Sequence, residues 1–275
     1  MIEKSLLDYF KESKYYTLKY KNYFPVYEKL FSSFKKKNFI FVEIGVLSGG
    51  SLHMWRNYFG KEARIIGIDL NPIAKRFEKE GFEIFIGSQS DEKFWENFFK
   101  EVGQVDIILD DGGHTNFQQI VTACSVIPFI KEDGMLVVED VFHSYGVSYG
   151  TSGFYNPSKF SFINFCKKII DDINYRFPTT KDFQFSLNKY VHSMEIFESM
   201  VAFKINRNKC ESTNEVLYNN GKNLELKDYA HLHDPKIPGS NKFVVKLKNI
   251  YPRFRGTLKY IVFKLNENIL KKYFK

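Results

Sequence analysis

The chain has 275 residues, with 40 Lys and Arg against 32 Asp and Glu and a formal net charge of +8 at pH 7. Hydrophobic residues make up 44%, which excludes intrinsic disorder, a collagen-like fibre and a coiled coil. No apolar run approaches the ~18–20 residues of a membrane span, and the start, Met1-Ile2-Glu3-Lys4, lacks the pattern of a secretory signal. The three cysteines, Cys124, Cys166 and Cys210, are odd in number and form no CxxC pair, so reduced thiols and a cytoplasmic setting are expected.

Residues 1–37 read as a helical N-terminal extension, polar and rich in Lys and Tyr, with a break at Pro25, and are expected to shape the acceptor site or an oligomer interface. From Asn38 short apolar runs alternate with amphipathic stretches. The runs are Phe39–Ile44, Arg64–Leu70, Phe82–Ile86, Val105–Leu109 and Met135–Val138; the helix-like stretches lie near 50–59, 72–80, 91–102 and 115–127. This alternation predicts βαβ units and a parallel sheet. A further helix is expected over 158–174. Tyr190–Phe197 and Met200–Ile205 read as two strands joined by a tight turn at Glu198-Ser199. The fold expected for 38–206 is thus α/β, a Rossmann-like, doubly wound, mostly parallel sheet ending in an antiparallel hairpin. Residues 207–241 read as a polar linker, and 242–275 as a basic amphipathic C-terminal tail, a second helical extension.

The first βα turn runs Glu43-Ile44-Gly45-Val46-Leu47-Ser48-Gly49-Gly50-Ser51. An acid closes the strand, and glycine at 45 and 49 lets backbone turn tightly and approach a ligand. The spacing is E-x-G-x-x-x-G, not the G-x-G-x-x-G of a dinucleotide site. The second strand ends on Asp69, where a carboxylate accepts hydrogen bonds from ribose hydroxyls. The fourth run is followed by Asp110-Asp111-Gly112-Gly113-His114, and the fifth by Glu139-Asp140. Adjacent parallel strands place these ends side by side, so four carboxylates converge. A hard divalent cation is the simplest way to hold them together.

These segments resemble class I S-adenosylmethionine-dependent methyltransferases. They are most similar to the metal-dependent sugar O-methyltransferases of macrolide biosynthesis, the mycinamicin and macrocin type, and to their cephalosporin-pathway relatives. The resemblance covers roughly residues 38–146. It rests on Gly49-Gly50-Ser51-Leu52-His53-Met54-Trp55, Gly87-Ser88-Gln89-Ser90-Asp91, Asp110-Asp111-Gly112-Gly113-His114, and Glu139-Asp140 with Ser144-Tyr145. One departure is Ser88, where the family usually has Asp, so adenine-side contacts are expected to differ.

The resemblance implies a class I methyltransferase fold binding S-adenosyl-L-methionine, with cofactor residues Glu43, Gly45, Gly49, Ser51, Asp69, Ser88, Gln89 and Asp110. It implies Mg²⁺ (or Mn²⁺) on Asp111, Glu139 and Asp140, and a catalytic pair of Asp111 and His114. The imidazole of His114 would take the acceptor's proton while the metal lowers the hydroxyl pKa. The Tyr- and Gly-rich segment 142–158 is expected to close over the acceptor, with His143, Tyr145, Tyr149 and Tyr155 as contacts. The expected activity is O-methylation of a sugar that is nucleotide-linked, part of a surface polysaccharide or capsule, or part of a natural product. A catechol-like small-molecule methyltransferase shares the metal logic and stays open. A non-catalytic membrane-surface adaptor is disfavoured by the intact glycine turn and acidic cluster.

The positive charge is concentrated at one end. Residues 241–275 hold ten Lys and Arg against the single acid Glu267, which leaves 30 basic and 31 acidic residues elsewhere. The core is therefore near neutral, and no nucleic-acid partner is expected. The Asn/Asp-Pro-Pro-aromatic turn of base methyltransferases is also missing after the fourth run. In the tail, Phe254, Leu258, Ile261, Val262, Leu265 and Ile269 recur at helical spacing. Such a helix can lie peripherally on the anionic inner face of a membrane. The plainer reading packs it on the core or on a second copy in a homo-oligomer.

Overall fold

A computed structural model describes residues 4–145, 159–175, 187–211 and 217–222. The chain divides into two compact units, Met1–Asn214 and Glu215–Lys275. All the described helices and strands lie in the first unit. The tail 242–275, most of the linker, Tyr149 and Tyr155 lie outside the described residues. No described helix is long and apolar enough to cross a membrane.

Seven strands form one sheet: β1 (Ile40–Ile44), β2 (Arg64–Asp69), β3 (Glu83–Ile86), β4 (Val105–Asp110), β5 (Ile130–Val138), β6 (Val191–Phe197) and β7 (Met200–Ile205). Their order is β3-β2-β1-β4-β5-β7-β6, parallel except for β7, which runs antiparallel to both neighbours. This is the mostly parallel sheet with a terminal hairpin expected from the sequence, and it is the class I methyltransferase fold. The order reverses between β1 and β4, where a doubly wound sheet opens a crevice at its C-terminal edge.

Helices cover both faces: α1 (Leu6–Lys11), α2 (Tyr23–Phe31), α3 (Gly50–Phe59), α4 (Glu92–Val102), α5 (Asn116–Val126), α6 (Phe162–Tyr175) and the short α7 (Arg207–Glu211). Alternation along β1 divides the core. Phe41 joins Tyr27, Phe31, Trp55 and Phe59 on one face, while Val42 and Ile44 join Trp95, Phe98 and Val126 on the other. Glu43 falls on the first face, beneath α3.

Five elements differ from the sequence reading. Residues 12–22, expected helical, join α1 to α2 without a helix, and α7 opens the expected linker. Pro25 lies in the first turn of α2, where a missing N–H costs no intrahelical bond. It therefore helps begin a helix instead of breaking one. The 72–80 stretch is a 3-10 run, Pro72–Glu80, capped by Asn71, whose side chain accepts from the Ile73 N–H. β5 begins at Ile130, five residues before its apolar run. A bulge opposite Val105–Ile107 admits the polar residues 131–134, with Asp133 at φ 61°.

Candidate active site

A cavity of about 710 Å³ opens where the C-terminal ends of β1, β2, β4 and β5 meet. Of the expected residues, Gly45, Ser51, Asp69, Gln89, Asp111, His114, Glu139 and Asp140 line it together. Glu43, Gly49, Ser88, Asp110, His143 and Tyr145 are not among its lining residues.

The β1 end is built by close approach. Gly45 has φ +92°, and a Cβ there would stand 2.1 Å from the Asp111 carbonyl oxygen. Only glycine allows the two turns to touch. Gly49, at φ +77°, gives way to the Phe77 ring, which a Cβ would meet at 2.4 Å. The Asp69 carboxylate is fixed by backbone: Oδ2 accepts from the N–H groups of Val46 (2.8 Å) and Leu47 (3.1 Å), and Oδ1 from Asn71 (2.8 Å). Oδ1, with one donor, keeps a lone pair for a further one.

Glu43, expected to touch the cofactor, is fully buried instead. Ser51 and Trp55, one turn apart on α3, both donate to it. Ser51 Oγ reaches Oε2 at 2.8 Å, and Trp55 Nε1 reaches Oε1 at 3.0 Å. Strand alternation turns Glu43 toward the helix, where it seats α3 and with it the glycine turn. Burial pushes its pKa up to about 7, with the Lys19 ammonium pulling the other way. A carboxyl near 4.5 in the unfolded chain and near 7 in the folded one contributes stability below pH 4.5 that is lost as pH rises to 7. Glu43→Gln is therefore expected to remove roughly 3 kcal/mol of pH-dependent stability across that window. Urea unfolding of both proteins at pH 4.5 and 7 checks this; parallel pH profiles would refute it.

Asp110 and Gln89 form a second internal clamp. Gln89 Nε2 donates to both Asp110 oxygens, at 2.9 and 3.0 Å, and Gln89 Oε1 accepts from the Gly113 N–H at 2.8 Å. Burial raises the Asp110 pKa to about 6. A Cβ on Gly112 would lie 2.0 Å from Gln89 Oε1, and one on Gly113 would lie 2.0 Å from the Gln118 amide. The paired glycines thus let two glutamines grip the loop that ends in His114. Ser88 pairs with Ser90 at 2.8 Å and stays outside the cavity.

At the far end, Asp111, His114 and Asp140 bring one ligand atom each within 4.8 Å of one another. His114 Nε2 lies 3.4 Å from Asp140 Oδ2 and 4.0 Å from Asp111 Oδ1. Its Nδ1 is buried without a hydrogen-bond partner. His114 and Asp140 both hold positive φ, 57° and 56°, a strained backbone that clusters at functional sites. The His143 ring stacks on His114 at 5.5 Å, 5° from parallel. Tyr145 ends the 3-10 turn Val141–Tyr145 that follows Asp140.

The N-terminal segment enters this cluster, through residues that the sequence reading did not single out. Lys19 Nζ donates to Asp111 Oδ2 at 2.6 Å and to both Glu139 oxygens at 3.0 Å. Tyr27 donates to Glu139 Oε1, and Tyr23 to Asp140 Oδ1, each at 2.5 Å. Glu139, expected beside Asp111 and Asp140 as a metal ligand, lines the cavity and accepts from Lys19 and Tyr27. Burial, with Asp111 close by, raises its pKa well above the usual carboxylate range. Burial lowers the Lys19 pKa, but Asp111 and Glu139 outweigh it and the ammonium is held protonated. Tyr23 and Tyr27 are raised by burial and by the carboxylates they serve. The one sequence cue was the i, i+4 spacing of Tyr23, Tyr27 and Phe31, which puts three aromatics on one helix face.

No family model matches the chain. It is similar to curated sugar O-methyltransferases. It is 30% identical over 158 residues to 8-demethyl-8-(2-methoxy-alpha-L-rhamnosyl)-tetracenomycin-C 3'-O-methyltransferase of Streptomyces olivaceus, covering 55% of this chain and 40% of that protein. It is 26% identical over 174 residues to mycinamicin VI 2''-O-methyltransferase of Micromonospora griseorubida, covering 60% and 43%. The chain thus spans less than half the length of these curated relatives. Among solved structures, the MycE methyltransferase of the mycinamycin biosynthetic pathway, in complex with Mg and SAH, superposes with a TM-score of 0.65 at 21% identity. That match covers 79% of this chain and 57% of that one, and supports the fold.

Proposed function

We propose that this chain transfers the methyl group of S-adenosylmethionine to a sugar hydroxyl with the help of a divalent cation. One observation carries the reading: a single cavity joins the Gly45–Asp69 nucleotide end to the Asp111–His114–Asp140 cluster. Similarity to sugar O-methyltransferases favours a sugar over a catechol.

Asp69, held rigid by three backbone N–H groups, would accept from a ribose hydroxyl through Oδ1. Leu47, Leu70 and Ile73 are exposed and line the same cavity, giving an apolar rim for an adenine. S-adenosylmethionine would supply the methyl group on a sulfonium.

The donor set fits a hard cation. Asp111 and Asp140 each give one oxygen to the N-terminal segment and turn the other toward His114. Two carboxylates with places left for water and acceptor oxygens suit Mg²⁺ or Mn²⁺. A cation held by Asp111 Oδ1 and Asp140 Oδ2 would act as a Lewis acid that lowers the acceptor hydroxyl's pKa. His114 Nε2 takes the hydroxyl proton, and Asp140 Oδ2 at 3.4 Å stabilises the resulting imidazolium.

Purified protein with labelled S-adenosylmethionine and Mg²⁺ tests this against free, nucleotide-linked and polysaccharide sugars, natural-product glycosides, catechols and RNA. The expected result is methylation of a sugar that EDTA abolishes. No sugar methylation, or methylation indifferent to EDTA, contradicts the reading. Methylation of catechol alone transfers it to the small-molecule class.

A further inference from the structure

We infer that Lys19 is a resident cation that cancels one of the three carboxylate charges of Asp111, Glu139 and Asp140, so that a divalent ion meets a net charge of −2 instead of −3. The inference rests on the metal reading above.

The path of the N-terminal segment to the cluster is built in. Ser13 Oγ donates to the Gly50 carbonyl at 2.6 Å, and Lys14 and Tyr15 donate to Glu80 at 2.7 and 2.6 Å. A Cβ on Gly50 would stand 2.3 Å from the Tyr15 carbonyl oxygen and 2.6 Å from that of Tyr16. Glycine at the start of α3 therefore lets this segment pass, apart from any ligand. The segment delivers Lys19 to a place where its side chain is 1% exposed and its ammonium makes three short contacts to carboxylate oxygens.

A buried charge costs several kcal/mol unless paired with good geometry. Here the partners are Asp111 at 2.6 Å and the equally buried Glu139 at 3.0 Å. All three line the cavity, and with Asp140 they leave a net charge of −2. A dication bound there gives a neutral site. With Lys19 absent, three carboxylates would hold the dication more tightly and leave one negative charge in excess. An acceptor oxygen gains negative charge as it loses its proton, and that excess would oppose it. Lys19 acts as a positioning and charge-balancing residue, exchanging cation affinity for turnover.

The test is a charge cycle at 19 and 139, read by titrating the protein with Mn²⁺ alone and following free ion by electron paramagnetic resonance. Lys19→Met is expected to bind Mn²⁺ at least roughly tenfold more tightly than the wild type. At saturating Mn²⁺ its kcat falls with acceptor KM little changed, while Lys19→Arg stays near wild type. Glu139→Gln is expected to weaken Mn²⁺ binding, and the Lys19→Met/Glu139→Gln pair to return it to within about threefold of wild type. This pair keeps the cycle informative if Lys19→Met alone does not fold, because no buried charge is left unpaired in it. Unchanged or weaker binding in Lys19→Met, or failure of the pair to restore affinity, overturns the inference. If wild type and variants all fail to bind Mn²⁺, the metal reading falls with it.

Discussion

Replacing His114 by Ala is expected to lower turnover by about 10²–10⁴-fold at pH 7, the range for a lost general base, while S-adenosylhomocysteine binding stays within about threefold. The imidazole is held for this task from several sides. Gln89 anchors the Gly113 N–H, the His143 ring stacks on its face, and Asp140 Oδ2 stands 3.4 Å from Nε2. Nothing in those contacts reaches the Gly45–Asp69 end of the cavity, so nucleotide binding has no reason to suffer. A Mn²⁺ titration of the same variant separates base from ligand. As a base, His114 is dispensable for the ion, and affinity changes little. A parallel loss of Mn²⁺ binding would make it a ligand instead, since Nε2 cannot do both.

Asp111→Asn is expected to cost turnover at least about 10²-fold, through lost cation binding instead of a lost base. The substitution keeps size and shape. It removes the charge on Oδ1, which faces the cavity, and on Oδ2, which holds Lys19 at 2.6 Å. Lys19 keeps Glu139 as a partner, so the fold is expected to survive, and a melting curve checks that it does. S-adenosylhomocysteine affinity should again stay within about threefold, because Asp111 meets the nucleotide turn through its backbone carbonyl at Gly45. Raising Mn²⁺ concentration should restore part of the activity in Asp111→Asn and none in His114→Ala. The opposite pattern would exchange their roles.

Much of this was legible in the chain because a parallel sheet converts sequence order into position. Gly45, Asp69, Asp111 and Asp140 each follow an apolar run, and strand ends on one edge must meet. The hairpin at Glu198-Ser199 was equally plain, and Ser199 at φ 61° occupies its turn. Glu43 was ambiguous, because an acid at a strand end serves a ligand or a helix equally well by position. Alternation along β1, with Ser51 and Trp55 one turn apart, decides for the helix. Glu139 and Asp140 are neighbours with different fates for a reason the sequence hides. Their partners, Tyr27, Lys19 and Tyr23, lie more than 90 residues earlier, in a segment whose Lys and Tyr richness singles out no one residue. Non-local pairing of that kind follows from the packed fold, not from any local pattern. The acceptor contacts expected at Tyr149 and Tyr155 fall outside the described residues.

The most direct test of the account is a crystal structure of the protein soaked with Mn²⁺ and S-adenosylhomocysteine, read at the manganese anomalous signal. The account predicts one peak, within coordination distance of Asp111 Oδ1 and Asp140 Oδ2. Lys19 should still rest on Glu139, and the homocysteine sulfur should point toward the peak from the Gly45 side. A peak ligated by Glu139 with Lys19 displaced, or no peak while nucleotide fills the cavity, would contradict it.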